Sequence, residues 1–305
     1  IQAVPGTDGI ENLQDENLVL LKKGNEPAMH FFMVHAGSGE VEEYIEFFEI
    51  LSRLDPGLNG WGIRAKRLKN GSPKNLTIEE LAAGYIDKIK KIQPNGPYRI
   101  AGWSIGGAIV FEMARQLEAL NEPIAFLALI DTPGPQVELA SQTQEFTLES
   151  EFAWLKEILP GLATSEKIKE ISDIEQLWLL IADYLETTRF DINELRNAIP
   201  GYIIRSIPHI RQLEPRDLIN SINRVRSLNN ARDRYLPGGN VKTVMRFFGA
   251  SETGKIFPQA WKSYCEERQE YKELQAGHYT LFKMPNTAVL AKLCKEVLSE
   301  QTKII

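Results

Sequence analysis

The stretch Ile100-Ala-Gly-Trp-Ser-Ile-Gly-Gly107 constrains this chain more than any other. Gly102-x-Ser104-x-Gly106 follows a strand-like run at 98–101 and opens a helix-like run at 105–120. Strand, sharp turn and helix in that order form a nucleophile elbow, with Ser104 on a strained bend and its hydroxyl projecting from the end of a sheet. The glycines two residues to either side have a mechanical reason. The bend forces strand and helix together, and a β-carbon at 102 or 106 would clash. The helix start behind Ser104 offers free N–H groups and the positive end of a dipole, where negative charge is stabilised. A Gly-rich turn with an incidental serine is the plain alternative. It leaves the flanking strand and helix unexplained.

The elbow sits in an alternating chain. Met29-His-Phe-Phe-Met-Val34 is a continuous apolar run of the kind buried on both faces of a sheet. Thr77-x-x-Glu80 reads as a capping box before a helix with Ile78, Leu81, Tyr85, Ile89 and Ile92 at helical spacing, stopping before Pro94. After the elbow, Ile109, Met113, Leu117 and Leu120 form one stripe. Residues 126–130 make another buried strand, ended by Asp131-Thr-Pro-Gly-Pro135. This rhythm predicts an α/β fold: a mostly parallel central sheet with helices on both faces.

The rhythm breaks from about 136 to 236, where the patterns are helical only. Leu148, Phe152, Leu155 and Leu159 form one stripe; Ser172-x-x-Glu175 reads as the cap of a second, with Leu177, Trp178, Ile181 and Leu185. A third region begins at Asp191, and Leu218, Ile219, Ile222 and Val225 mark a fourth. That length between two sheet strands is an insertion, not a crossover. Strands return at 241–248 and 271–274, and a last helix follows Asn286. The expected division is a polar linker at 1–27 leading into a first strand at Leu18-Val-Leu-Leu21, a core at 28–135 and 237–305, and a helical lid at 136–236.

A net charge of −6 and the lack of an aromatic-plus-basic pattern argue against nucleic-acid binding. No apolar run is long enough for a membrane span, and the start has neither the basic nor the apolar part of a signal peptide. It begins with Ile, which fits a processed chain or a domain cut from something larger. Cys265 and Cys294 have no metal spacing and form no disulfide framework; Cys294 shares a stripe with Leu290, Leu293 and Val297. A reducing cytoplasm and no metal are expected.

A serine hydroxyl needs a base within hydrogen-bond reach, and that base needs an orienting acid. Four histidines compete. His30 lies inside the first strand, and His209 lies in the insertion. His35 ends the first strand in His-Ala-Gly-Ser-Gly39, a loop with another use. His278 lies in Gly277-His-Tyr, between the last strand and the last helix, the loop where α/β-hydrolases place their histidine. Two acids stand at strand ends, Asp131 and Glu252. Glu252 holds the commoner position, but the shorter Asp131, directly at a strand end, is better fixed to orient a ring and is favoured. Two backbone donors must face a developing oxyanion: Ile105 after the nucleophile, and Ala36 or Gly37 in the His35 loop.

These motifs resemble the type I thioesterase domains that end non-ribosomal peptide synthetase and hybrid polyketide assembly lines. The resemblance runs from Leu-Val-Leu-Leu-Lys-Lys-Gly24 through His35-Ala-Gly-Ser-Gly, Gly-Trp-Ser-Ile-Gly-Gly107 and Leu-Ile-Asp131-Thr to Gly-His278-Tyr. An acid one helix and one strand after the nucleophile, ahead of the lid, marks that group. One departure is Ala36, where the family often has proline. The resemblance implies an α/β-hydrolase fold and Ser104, Asp131 and His278 as nucleophile, acid and base. It also implies an upstream carrier domain presenting an acyl or peptidyl thioester on a phosphopantetheine arm, with no cofactor beyond that arm. Trp103 and Tyr279 flank the catalytic positions and are candidates for the acyl pocket, with core packing an equal alternative. The lid's arginines (205, 211, 216, 224, 226, 232 and 234) outnumber its nearby acids, which would suit an acidic carrier; a solvated helix face is the alternative. A free-ester esterase or lipase, and a silent hydrolase fold used as a binding module, remain as rival readings.

Overall fold

The computed structural model describes residues 16–25, 29–68, 71–188, 199–207 and 209–301. Most of the expected linker, and the helical region placed at Asp191, lie outside them. The strands are β1 (Leu18–Lys22), β2 (Met29–Val34), β3 (Leu58–Ile63), β4 (Tyr98–Trp103), β5 (Ile124–Ile130), β6 (Met245–Ala250) and β7 (Gln269–Leu274). They form one seven-stranded sheet in the order β1-β3-β2-β4-β5-β6-β7. β1 runs antiparallel to β3, and every other pairing is parallel.

The period-two alternation of the strands builds two cores. Phe32, Val34, Ile100, Leu127 and Leu129 face α2 (Ile78–Ile92) and α3 (Ile105–Ala119). Phe31, Met33, Ala101, Ala128 and Ile130 face α1 (Ile45–Leu54) and the last helix. Thr77 caps α2 by accepting the Glu80 N–H, the first half of the expected box.

α1 and β3 carry no clear signal in the sequence. β3 reads Leu-Asn-Gly-Trp-Gly-Ile, poor in β-formers, yet it is buried throughout. Its glycines allow close approach. A β-carbon on Gly60 would lie 2.2 Å from the Phe48 ring, and one on Gly62 would lie 2.8 Å from Val41 Cβ.

Between β5 and β6 the described residues form no strand but the helices α4 (Val137–Gln142), α5 (Leu148–Ile158), α6 (Pro160–Ala163), α7 (Ile174–Thr187), α8 (Gly201–Ser206) and α9 (Pro215–Arg234). They have their own core, with Leu155, Trp178, Ile181, Ile203, Ile222 and Val225. α9 bridges two cores: Leu218 to Val225 pack into the insertion, Leu228 and Ala231 into the sheet. The cap of α7 is Asp173, which accepts from Gln176 N, and not Ser172. β6 is shorter than the 241–248 reading; Val241 makes only an isolated bridge to Cys265. α10 (Ile256–Lys262) and α11 (Asn286–Gln301) are the remaining described helices. No helix among the described residues is long and apolar enough to cross a membrane.

The basic face read into the insertion is largely neutralised by carboxylates from other segments. Arg216 pairs with Asp183 and Glu186, Arg224 with Glu40, and Arg226 with Glu151. Arg232 pairs with Asp233, and Arg234 with Glu145. Counting charges along one helix missed partners in other segments, from Glu40 near the start of the chain to Glu145, Glu151, Asp183 and Glu186 within the insertion.

Candidate active site

Parallel strands place the loops at their carboxyl ends along one sheet edge, the usual location of ligand sites in such sheets. Ser104 follows β4 with φ 57 and ψ −123, a conformation that costs energy for a residue with a side chain. Surrounding contacts hold it there. Ser104 N–H donates to Ile130 O at 2.9 Å, and Gly107 N–H donates to Ser104 O at 3.0 Å. The glycine argument from sequence is met by specific atoms. A β-carbon on Gly102 would lie 2.1 Å from Gly106 O, and one on Gly106 would lie 2.5 Å from His35 O. Ile105 is the first residue of α3, so its N–H has no carbonyl behind it in the helix.

Asp131 ends β5, fully buried, with φ 42. One carboxylate oxygen, Oδ2, lies 2.7 Å from His278 Nδ1. The other, Oδ1, accepts from Ala250 N–H at 2.9 Å and from the Thr253 hydroxyl at 2.6 Å. Three donors on one buried carboxylate hold it oriented. With Nδ1–H engaged, Nε2 of His278 is left as the acceptor. Glu252 lies elsewhere: its carboxylate packs where a β-carbon on Gly277 would sit, 2.2 Å away, and its N–H donates to Ala276 O at 3.2 Å. Of the two acids, Asp131 is the one brought to the imidazole.

Ser104, His278, Ala36, Gly37, Trp103 and Tyr279 line one cavity of about 390 Å³. Trp103 is nearly buried and tilted against His278, ring centroids 5.4 Å apart. Tyr279 meets His278 edge to face at 5.0 Å and carries the Arg205 guanidinium over its own ring. The insertion supplies Tyr202, Arg205, Ser206, Asn229, Arg232 and Asp233 to the opposite wall. Glu43 lines the cavity too, and burial pushes its carboxyl up to about 7 against the pull of Lys283.

The loop after β2 is fixed by His35. Its Nδ1–H donates to Ala36 O at 2.7 Å, and the Tyr85 hydroxyl of α2 donates to Nε2 at 2.7 Å. Burial first, then the charge of Arg224, hold the imidazole down to about 4, so the ring is neutral across the working range. The remaining histidines stand apart from the site. His30 Nδ1 accepts from Trp61 Nε1, and His209 is exposed in a left-handed conformation. Tyr85 and Thr253 escaped the sequence reading. Tyr85 counted only as one more apolar residue on its helix stripe, and nothing distinguishes Thr253 from any loop threonine.

A mostly parallel sheet, a strained serine between β4 and α3, and an Asp–His pair carried after β5 and β7 define an α/β-hydrolase. Within that class, residues 29–296 match the family model described as thioesterase domain, and the chain belongs to that family. An atromentin synthetase of Tapinella panuoides is 26% identical over 309 residues, covering 96% of this chain and 29% of that protein. An inactive atromentin synthetase of Paxillus involutus is 26% identical over 269 residues, covering 86% of this chain and 26% of that protein. The chain thus spans less than a third of the length of the curated relatives it matches. Among solved structures, the NocB thioesterase domain of the nocardicin cluster superposes with a TM-score of 0.58 at 16% identity. That match covers 93% of this chain and all of the other. Holo-AB3403, a four-domain nonribosomal peptide synthetase, superposes with a TM-score of 0.61 at 20% identity, covering 92% of this chain and 20% of that one.

Proposed function

We propose that this domain releases an acyl or peptidyl chain from the phosphopantetheine arm of an upstream carrier domain, through an acyl-enzyme on Ser104. The observation that carries this reading is the 2.7 Å contact between His278 Nδ1 and Asp131 Oδ2 in the cavity lined by Ser104. His278 Nε2 takes the Ser104 proton as Oγ attacks the thioester carbonyl carbon. The tetrahedral oxyanion is held by the N–H groups of Ile105 and of Ala36 or Gly37. On collapse the C–S bond breaks, and the imidazolium returns its proton to the leaving thiolate. His278 then deprotonates the second nucleophile as it attacks the ester carbonyl, and on collapse the C–Oγ bond breaks and the imidazolium returns the proton to Ser104 Oγ. Water gives an acid; a hydroxyl or amine of the chain gives a ring. The helical insertion excludes bulk water and folds the acyl chain against Trp103 and Tyr279, which sets the ratio of the two outcomes.

The fold match to one part of a four-domain nonribosomal peptide synthetase, and the small share of its curated relatives that the chain spans, support a carrier on the same polypeptide. Two free cysteines, one of them buried, suit a reducing cytoplasm. The test is a matched pair of substrates with one acyl group, a pantetheine thioester and a simple alkyl ester. The reading expects higher kcat/KM on the thioester. Equal or faster turnover of the alkyl ester would favour a free-ester hydrolase.

A further inference from the structure

The loop that carries Ala36 and Gly37 is held from two sides. From beneath, the His35 ring is locked to Tyr85. From above comes a side chain of the insertion. Arg224 of α9 is buried at 8% exposure, and its Nε–H donates to Ser38 O at 2.8 Å. Its Nη2 meets Glu40 Oε1 at 2.6 Å, and Glu40 Oε2 lies 2.9 Å from Arg64 Nε. Gly39, at φ +77, is shaped to receive it: a β-carbon there would lie 2.8 Å from Arg224 Cδ. The loop closes its own turn through Gly39 N–H to Ala36 O at 3.0 Å. Movement at Ser38 or Gly39 is therefore passed directly to Ala36. Neighbours of Arg224 fix α9 against the core. Asn223 Nδ2 donates to Gly71 O at 2.5 Å, and Ser227 Oγ accepts from Lys74 N–H at 2.8 Å.

We infer that Arg224 is a positioning residue for the oxyanion hole: it ties the insertion to the loop that supplies the second backbone donor. This rests on the Ser104 acyl-transfer reading. A buried guanidinium bonded at once to a loop carbonyl and a loop carboxylate fixes direction as well as distance, which a lysine cannot do. Removing an oxyanion donor outright typically costs about 10²–10³ in rate. A donor that is kept but displaced loses part of that, on the order of 10-fold to 100-fold. Because the loss falls on the transition state, kcat drops while ground-state binding holds.

The experiment compares wild type, Arg224→Met and Arg224→Lys as the full chain. Two ligands are titrated. One is a trifluoromethyl ketone analogue of the acyl chain, to which a serine adds to give an oxyanion; the other is the matching amide, which stays in the ground state. The inference expects Arg224→Met to weaken the ketone on the order of 10-fold to 100-fold, in step with kcat/KM, with amide binding unchanged. Arg224→Lys, which keeps a charge for Glu40 but loses the Ser38 contact, shows the same selectivity in smaller size. It carries the test if the Met variant does not fold. Equal weakening of both ligands, or loss of activity that only follows loss of folded protein, would overturn the inference. A wild type that forms no covalent adduct with the ketone would instead sink the Ser104 reading itself.

Discussion

The sheet and the helical insertion meet at one cavity but are built on different terms. On the sheet side, each polar group stands where a strand ends: His35 after β2, Ser104 after β4, Asp131 after β5, Thr253 after β6 and His278 after β7. Backbone ladders fix those ends relative to one another. On the insertion side, the groups come from α8, packed on a separate core, and from the end of α9 that packs on the sheet. One of its buried polar contacts is Glu151. That carboxylate pairs with Arg226 at 2.7 Å and accepts from Trp178 Nε1 at 2.9 Å, while Arg226 lies 4.2 Å over the Trp154 ring. Chemistry that tolerates little displacement sits on the rigid half. The insertion wall is held mainly by side-chain contacts, one of which, Arg224, reaches the loop after β2.

The largest effect belongs to the sheet side. Ser104→Ala should remove turnover while leaving the fold and the melting profile intact. Residual turnover would mean another nucleophile. Next, Asp131→Asn should lower kcat by about 10⁴, as an orienting acid does in other triads, while Glu252→Gln changes it little. The reverse result would move the acid to Glu252.

The insertion should answer differently. Glu151→Ala leaves Arg226 buried without its partner, a loss of roughly 3–5 kcal/mol for such pairs. Amide exchange should rise in α5, α7 and α9 and stay slow in β2, β4 and β5. Uniform loosening across both regions would erase the distinction.

A smaller effect concerns pH. The His35 pKa falls from 6.5 unfolded to about 4 folded, so the unfolded chain binds the extra proton between those values. Stability is then complete above about 6.5 and declines as pH drops toward 4, by roughly 3 kcal/mol at about 1.4 per unit. Glu43 has the opposite sign. Its raised carboxyl favours the fold at low pH and that advantage fades as pH rises through about 7. Between about pH 4.5 and 6.5 the two slopes oppose, so urea titrations of wild type should be nearly flat there, and His35→Gln should expose the Glu43 slope, stability falling as pH rises toward 7. A His35→Gln profile as flat as wild type would mean that His35 contributes no such slope. The smallest effect expected is Thr253→Ala, which strips one hydroxyl donor from the Asp131 carboxylate, at about 1.5–3 kcal/mol for a bond to a charged group. A modest fall in kcat should accompany it; an unchanged kcat would leave Ala250 N–H as the sufficient donor.

Why some of this was legible in the chain and some not follows from the two regions. Residues 29–34 and 126–130 announce buried strands because strands covered on both faces must be apolar throughout. The elbow is legible because one bend demands both glycines. β3 was silent since its glycines exist to admit Phe48 and Val41, a requirement that appears only once α1 is in place. His278 and Asp131 could be placed at strand ends from order alone, but their 2.7 Å contact and the Thr253 donor depend on loops meeting across the sheet edge. In the insertion, helical stripes gave the elements, while the charge reading failed. Arg224 and Arg226 find their partners on Glu40 and Glu151, segments no local window includes.

The central claim, that Ser104 carries the acyl group, is tested most directly by intact-protein mass spectrometry after mixing the domain with an acyl-pantetheine thioester, wild type beside Ser104→Ala. The account predicts a mass gain equal to the acyl group in wild type and none in the variant. The same adduct on both proteins, or turnover with no dependence on Ser104, would contradict it.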